Sequence, residues 1–264
     1  MNLLFESPSW ILSSLLIVIP SILICLFFLW LVRKSVSIES LKKHHDVAGF
    51  TFSIIGVLYS VILAFTVINV QTRYNGAEET IHTEAVMLSD LYRDASFFGD
   101  HDRDQIRSVL REYVKYVLDK EWHSPLDPKV RLETQTILAK LWSVYHKIQI
   151  DDEKAKIWYE QSIAKMDNLM NARLSREFDS WEHLGGMMWT LLIVGALITI
   201  GFMFFFGLEN MRMQMLMTSL LAGYVSFILY LIFSLDHIFN GPEAIKPIAI
   251  EQIFLRFDQW DKSI

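Results

Sequence analysis

Residues 47–70 read VAGFTFSIIGVLYSVILAFTVINV, a run without a single Asp, Glu, Lys, Arg or His. A helix that crosses a bilayer needs about 20 consecutive, mainly apolar residues, because about 30 Å of hydrocarbon is crossed at about 1.5 Å per residue. Charged side chains are costly at the bilayer centre, so their absence favours a transmembrane helix here. Three further segments share both properties: residues 10–32, 187–207 and 215–235. The sequence therefore predicts four transmembrane helices.

The composition agrees with a membrane protein. Hydrophobic residues make up 52% of the chain and the mean hydropathy is +0.30, whereas soluble domains average about 45–50% apolar residues. Residues 1–9 contain no Lys or Arg, and no Ala precedes Ala48 to form a cleavage site. The first span is therefore interpreted as a retained anchor and not as a secretory signal.

The spans divide the chain two and two around a soluble segment. We predict spans one and two in residues 1–70, a helical domain in 71–184, spans three and four in 185–236, and an amphipathic tail in 237–264. Apolar residues recur at helical spacing throughout 71–184, without strand-like alternation, so the fold class is all-α with an inserted helical bundle. The tail is expected to lie on the membrane surface or to pack on a partner.

Helical periodicity also predicts which side chains of the soluble domain face its core. On the helix that continues from span two, these residues are Ile81, Ala85, Leu88, Tyr92 and Ala95. On the fourth helix of the domain, which Asp151 and Asp152 are expected to cap, they are Ile163, Met166, Met170, Leu174, Phe178 and Trp181.

Span two carries a narrow stripe of small side chains. Its members recur at steps of four, three, four and four: Gly49, Ser53, Gly56, Ser60 and Ala64. Such stripes mark close helix packing in lipid, where large side chains would hold the backbones apart. The same residues would equally suit a pore wall, because small side chains leave room and hydroxyl groups meet water or ions. Both interpretations stay open.

Polar residues accumulate toward the domain end of span two. Tyr59, Thr66 and Arg73 lie seven residues apart, with Asn69 nearby, an arrangement expected of a vestibule. Tyr and Arg near a membrane boundary are also ordinary interfacial anchors.

Few residues suggest a metal site. His44, His45 and Asp46 precede span two, where helix capping is the expected role, since a metal site needs three or four converging ligands. Glu78, Glu79 and Glu84 would bind a hard cation only if an oligomer brought copies together, and are otherwise expected to be solvated. The single Cys25 lies in the first span, which excludes a disulfide within one chain and favours a packing role.

No signature of catalysis is present. The sequence contains no P-loop, no G-x-G-x-x-G after a strand, no H-E-x-x-H and no G-x-S-x-G. Residues 71–184 hold 16 Lys and Arg against 21 Asp and Glu, so the domain is mildly acidic and has no basic stripe for nucleic acid. We therefore predict neither an enzyme, a cofactor nor a nucleic acid partner.

Several short motifs, taken together, resemble a bacterial family described as bestrophin-like, a domain of unknown function. Those around span two are His45 to Phe50, Gly56 to Tyr59, and Ala64 with Phe65. The later ones are Tyr74, Ala77 and Glu78; Glu84, Ala85, Leu88, Leu91 to Arg93 and Ala95; Glu121 and Trp122; Trp189; Gly195 to Gly207 with Asn210; and Leu235, Asp236, Phe239 and Gly241.

The resemblance implies a function. Bestrophins proper are oligomeric anion channels whose second span lines the pore and continues into a helical cytosolic domain. Their apolar pore constriction has a counterpart only in Phe50, Ile54 and Val57. The resemblance thus implies a homo-oligomeric channel for small ions, and anions in particular, in the inner membrane of a bacterium. The alternative is a non-transporting sensor or scaffold whose helical domain binds a partner.

Two arguments about topology conflict. The positive-inside rule counts basic residues near the ends of the spans. The loops after spans one and three hold Arg33, Lys34, Lys42, Lys43 and Arg212. The opposite side holds Arg73, Arg173, Arg176 and Lys246. The side with more basic residues, which holds the loops after spans one and three, is expected to be cytoplasmic. The count therefore favours an extracytoplasmic helical domain, whereas the resemblance to bestrophins implies a cytoplasmic one.

Overall fold

The computed structural model describes residues 9–39, 45–150 and 153–263, and within these ranges every regular element is a helix. The predicted all-α fold class is therefore confirmed. The α-helices are α1 (Ser9–Ser35), α2 (His45–Asp94), α3 (Asp100–Tyr116), α4 (Pro128–Lys147), α5 (Glu153–Asp179), α6 (Gly186–Phe204), α7 (Met211–Asp236) and α8 (Ile248–Ser263). A 3₁₀-helix, Ala95–Phe97, follows α2, and a π-helix, Val117–Glu121, follows α3.

Helices α1, α2, α6 and α7 contain segments long and apolar enough to cross a membrane, which confirms the four predicted spans. The chain divides into two compact units. The span unit comprises Met1–Thr72 and His183–Ala244, and the helical unit comprises Arg73–Glu182 and Ile245–Ile264. Helix α2 contributes to both units.

Local sequence signals explain where several helices begin. Pro128 occupies the first turn of α4, where its missing N–H costs nothing, and the Asp127 side chain accepts a hydrogen bond from the backbone N–H of Lys129. The side chain of Asn210 accepts hydrogen bonds from the N–H groups of Arg212 and Met213 at the start of α7. The predicted caps Asp151 and Asp152 lie outside the described residues.

Close contacts hold the span unit together. Helix α1 packs along α7, where a Cβ atom added at Gly223 would lie 3.2 Å from the Ile22 side chain. Helix α2 packs on α6 through Tyr59, whose ring lies against Gly195. In both places a glycine allows the neighbouring helix to approach closely.

Large side chains fill the core of the helical unit. Tyr92, Tyr113 and Tyr145 are fully buried. The predicted core positions of α2 are also buried: Ile81, Ala85, Leu88, Tyr92 and, just beyond the helix end, Ala95.

The structure corrects the prediction for α5. Met166 is buried, and Ile163 and Met170 are half-buried, but Leu174, Phe178 and Trp181 are exposed. Periodicity predicts that these apolar residues share a face, but α5 ends at Asp179 and Trp181 lies beyond it. Periodicity does not indicate whether another element of the same chain covers that face.

The C-terminal tail also differs from its prediction. Its apolar side packs within the helical unit, where Ile250, Ile253 and Phe257 are buried. The Phe257 ring stacks on Tyr92, with ring centres 3.9 Å apart and planes 9° apart. This surface of α8 is therefore covered by the chain itself and is not left free for the membrane surface or a partner.

Candidate functional site

The small-residue stripe predicted on span two lies on α2 within the span unit. Ser53, Ser60 and Ala64 are exposed, whereas Gly49 and Gly56 are half-buried. The hydroxyl groups of Ser53 and Ser60 donate to the backbone carbonyls of Gly49 and Val57, at 2.9 and 2.8 Å. Each serine is thus satisfied by its own helix, and its oxygen keeps lone pairs for water or an ion.

Little in the described part of the span unit fills the space in front of this stripe. A Cβ atom added at Gly56 would meet no other atom within 4 Å, and one added at Gly49 would lie 3.9 Å from the Phe206 ring. The stripe is therefore a free surface of the single chain. It remains available for a neighbouring copy or for water.

Large apolar side chains lie beside the stripe on α2. Phe50, Ile54 and Val57, the predicted counterparts of a constriction, are all exposed, as is Phe65. In a membrane these side chains meet lipid, another copy or a pore, and all three environments suit them.

The four predicted vestibule residues differ in their surroundings. Tyr59 is only 5% exposed, and its hydroxyl donates to the Leu192 carbonyl on α6 at 2.9 Å. Thr66 is also buried and bonds within α2, whereas Asn69 is exposed. Arg73 belongs to the helical unit, where it donates to the backbone carbonyl of Glu182. Tyr59 and Thr66 therefore pack inside the span unit of one chain.

A buried ion network occupies the centre of the helical unit. Glu84 is 0% exposed. Its carboxylate accepts hydrogen bonds from Arg176 Nε at 2.6 Å and from the Tyr113 hydroxyl at 2.5 Å. Burial raises the pKa of Tyr113, and the charge of Glu84 raises it further. Burial alone would lower the pKa of Arg176, but the carboxylates of Glu84 and Glu121 outweigh that effect and raise it.

Glu121 extends this network from the π-helix. Its Oε1 lies 3.1 Å from Arg176 Nη2 and 3.8 Å from Arg173 Nη2, and its other oxygen accepts a hydrogen bond from the Thr134 hydroxyl. All four side chains are buried. Arginine suits such a network, because its planar fork holds two carboxylates at once.

This network corrects the expectation for the acidic residues after span two. Glu78 and Glu79 are exposed, but Glu84 is neither solvated nor available to a cation, because Arg176 neutralises it. Its position could have indicated this, since Glu84 falls three residues after Ile81 and four before Leu88 on the predicted core face.

No group of three or more His, Cys, Asp or Glu suited to a metal ion occurs in the part of the chain that the structure describes. His44 and the side chains of His45 and Asp46 lie outside that part. Cys25 is half-buried, with a free thiol.

Sequence reasoning missed a second polar centre, at the C-terminal end of α7 in the span unit. Asp236 is buried there and accepts hydrogen bonds from the Leu184 N–H at 2.7 Å and the Trp189 indole N–H at 3.3 Å. The His183 and His237 rings stack beside it, with centres 5.0 Å apart. Asp236 thus ties the start of α6 to the end of α7.

A family model for the Bestrophin-like domain matches residues 19–250. The chain belongs to the Bestrophin-like family. A search of curated proteins gave no significant match.

Solved bestrophin homologues share the fold. A point variant of the bacterial bestrophin homologue from Klebsiella pneumoniae has a TM-score of 0.73 at 15% identity, over 91% of this chain and 98% of that one. A second structure of the Klebsiella pneumoniae homologue has a TM-score of 0.70 at 16% identity, over 90% and 97%. A point variant described as a membrane protein has a TM-score of 0.72 at 16% identity, over 91% and 98%.

The fold of this Bestrophin-like chain is therefore that of the bacterial bestrophin homologues along nearly its whole length. Together with the four apolar helices, this likeness identifies an integral membrane protein.

Proposed function

We propose that this Bestrophin-like protein is a homo-oligomeric channel for small ions, with anions as its main permeant species, in the inner membrane of a bacterium. Helix α2 lines the pore. The observation that carries the proposal is the uncovered stripe from Gly49 to Ala64, because one side of α2 packs inside the chain while the stripe meets no neighbouring helix at Gly56.

Four spans do not enclose a pore by themselves, so several copies must surround one. A closed ring of identical chains places the same helix of every copy around the axis. The stripe suits the axial position, because small side chains leave a passage and the hydroxyl oxygens of Ser53 and Ser60 make its wall polar. Neither serine adds a charge, so permeation would not be held back by tight binding of an ion.

Flux measurements on purified protein in liposomes test the proposal. Vesicles loaded with chloride and diluted into an impermeant anion should release chloride when the protein is present, provided that valinomycin and potassium balance the charge. A second assay measures cation flux, with vesicles that contain sodium and the impermeant anion. Sodium flux without chloride flux would support a channel function and contradict the proposed preference for anions.

Two matched variants link flux to the stripe. Gly56→Leu places a large side chain on the uncovered face of α2 and should reduce flux at least tenfold or break the assembly. Gly201→Leu makes the same change on α6, where an added Cβ atom also meets nothing within 4 Å, and should leave flux close to that of the unchanged protein. Equal flux from both variants would contradict pore lining by the stripe.

The competing function is a non-transporting sensor or scaffold. An intact homo-oligomer that conducts neither chloride nor sodium in the liposome assay would favour it over the channel.

A further inference from the structure

A cavity of about 570 Å³ lies in the helical unit. Cavities of about 300–1,000 Å³ are typical of small-molecule sites. The wall combines residues from the end of α2, the 3₁₀-helix, α5 and α8. All of them belong to the helical unit, whereas the small-residue stripe belongs to the span unit. The role proposed for the stripe therefore leaves this cavity unexplained.

Aromatic rings form the apolar part of this wall. The Phe97 ring on the 3₁₀-helix stacks on the Trp158 indole on α5, with ring centres 3.6 Å apart and planes 5° apart. Trp260 on α8 contributes a third ring. Phe97 is exposed and both tryptophans are half-buried, so ring surface remains open to a ligand. Flat aromatic surfaces favour a ligand ring that is flat as well, because such rings stack on each other.

The charged side chains of the wall already have partners. Lys165 Nζ lies 2.7 Å from Asp94 Oδ2. Arg93 forms an ion pair with Asp90 on the same helix, and its guanidinium carbon lies 6.0 Å from the centre of the Trp260 ring. Since two cations and two carboxylates balance, a charged ligand would lose hydration without meeting an unmatched charge. The wall therefore favours a neutral ligand.

The same wall contains two uncharged polar side chains, Gln161 and Ser96. The Gln161 amide offers both a hydrogen-bond donor and an acceptor. The Ser96 oxygen accepts a hydrogen bond from Arg107 Nη2 at 2.9 Å, which leaves the hydroxyl hydrogen for a second acceptor. A ring with a nitrogen donor and a nitrogen acceptor on its edge matches these groups, whereas a hydrocarbon ring does not.

We propose that this cavity binds a neutral, planar heteroaromatic compound of two fused rings. The compound stacks on the aromatic wall and turns its polar edge toward Gln161 and Ser96. It contacts α5 and α8 together, because Trp158 and Trp260 line the same cavity. Bound ligand therefore fastens α8 to the helical unit, and the docking of α8 depends on the ligand concentration.

Isothermal titration calorimetry tests the site on full-length protein in nanodiscs, with empty nanodiscs as the blank for partitioning into lipid. Benzimidazole, which is neutral in mildly alkaline buffer, should bind once per chain with a Kd below about 1 mM. Cyclohexanol has no aromatic face and should bind at least about tenfold more weakly. Benzimidazole-5-carboxylate carries a negative charge and should bind no more tightly than benzimidazole.

Each of these results has an opposite that contradicts the proposal. A Kd of benzimidazole above about 1 mM would overturn the site. Equal affinity for cyclohexanol would overturn the stacking, and tighter binding of the carboxylate would overturn the preference for a neutral ligand.

Variants link binding to the aromatic wall. Trp158→Ala should weaken benzimidazole binding at least about tenfold, whereas Trp158→Phe keeps an aromatic face and should stay within about threefold of the unchanged protein. Trp181→Ala is the matched control, because Trp181 is an exposed tryptophan of the same unit and does not line the cavity. Equal affinities of Trp158→Ala and Trp181→Ala would contradict stacking on this wall.

Gln161→Ala provides a test that does not depend on removing a packed ring, since Gln161 is exposed. Loss of its hydrogen bonds should weaken benzimidazole binding about fivefold. Unchanged affinity in this variant would overturn the proposed orientation of the polar edge.

Hydrogen exchange measures the consequence for α8. Benzimidazole at ten times its Kd should slow exchange in residues 248–263 about tenfold. Residues 128–147 of α4 do not line the cavity and should exchange as before. Binding without slower exchange in α8 would contradict the fastening of that helix. Ion flux enters none of these measurements, so the site can fail while the channel stands, and the channel can fail while the site stands.

Discussion

At the scale of single residues, Gly195 shows how closely α2 and α6 approach. A Cβ atom added there would lie 2.5 Å from two carbons of the Tyr59 ring. We therefore expect Gly195→Ala to destabilise the span unit by about 1–3 kcal/mol, the usual cost of overpacking. Thermal unfolding in detergent measures this loss. Gly201→Ala, where an added Cβ atom meets nothing within 4 Å, should leave the midpoint within a degree or two of the wild-type value.

The buried carboxylate of Glu84 provides a second prediction for single residues. Glu84→Gln leaves Arg176 without its nearest carboxylate in a site closed to water. Removing one partner of a buried pair typically costs about 3–5 kcal/mol. Chemical denaturation should show a loss of that size for Glu84→Gln and a change below about 0.5 kcal/mol for the exposed Glu79→Gln. Equally small losses of stability from Glu84→Gln and Glu79→Gln would mean that Glu121 alone neutralises the charge of Arg176.

The same residues show what the sequence could and could not predict. The four spans were predictable, because a charge-free apolar run of sufficient length has few other uses. The pairing of Glu84 with Arg176 was not, since the two residues lie 92 positions apart and periodicity carries no information on which helices meet. The contact of Tyr59 with α6 was not predictable for a similar reason, because its direction around α2 depends on where α6 packs.

At the scale of helices, polar contacts dock α8 on α3 within the helical unit. Arg111 bonds both Asp258 and Asp261, and Arg107 bonds Asp261. Burial works to raise the pKa of Asp261, but hydrogen bonds from Tyr92 and Arg111 outweigh it, and the pKa is lowered. Asp261 therefore stabilises the docked helix above the ordinary aspartate pKa of about 3.9. This contribution is lost as the pH falls through the lowered pKa.

We expect acid below about pH 4, or the substitution Asp261→Asn, to loosen α8 before the rest of the helical unit. Hydrogen exchange measured by mass spectrometry should report faster exchange in residues 248–263. Glu251→Gln, which removes an exposed carboxylate at the start of the same helix, should leave exchange unchanged. Unchanged exchange in Asp261→Asn would show that the apolar contacts of Ile250 and Phe257 hold the helix by themselves.

Tyr92 makes the docking of α8 sensitive to alkaline pH as well. Burial and the hydrogen bond to Asp261 raise the pKa of Tyr92 to about 12. The neutral tyrosine is thus favoured in the folded state, and its contribution to stability declines above pH 10, where an unfolded tyrosine ionises.

Exposed apolar side chains at the C-terminal end of α5 and just after it show the limit of sequence analysis at this scale. Amphipathic periodicity predicts a buried apolar face for Leu174, Phe178 and Trp181, but all three are exposed and Trp181 lies beyond the end of α5. Burial inside the chain was the wrong inference, because an apolar face is covered equally well by a second molecule, and the periodicity is the same in both cases.

At the scale of the whole molecule, the side of the membrane that holds residues 73–182 is the main question about topology. The excess of basic residues after spans one and three is a single residue, whereas the family match extends over residues 19–250. We give the family more weight and expect the cytoplasmic arrangement of bestrophins.

Cysteine labelling decides between the two arrangements. Ser124 is exposed in the helical unit, so in a Cys25→Ser background Ser124→Cys should react with a membrane-impermeant maleimide only after the cells are permeabilised. Labelling of intact cells would instead support the positive-inside count. Ser35→Cys, at the exposed last residue of α1, should show the opposite pattern and serves as the control.

The π-helix Val117–Glu121 has the geometry of an α-helix with one residue inserted. The Trp122 N–H bonds the carbonyl of Val117, five residues earlier, so this turn holds one residue more than an α-helical turn. Deleting one residue here would restore a regular helix and rotate everything before it by about 100° relative to Glu121. Helix α3 and Glu121 would then no longer face the same core. In evolutionary terms, the exposed positions Asp119 and Lys120 should therefore accept exchanges of side chains far more readily than the segment accepts any change in length.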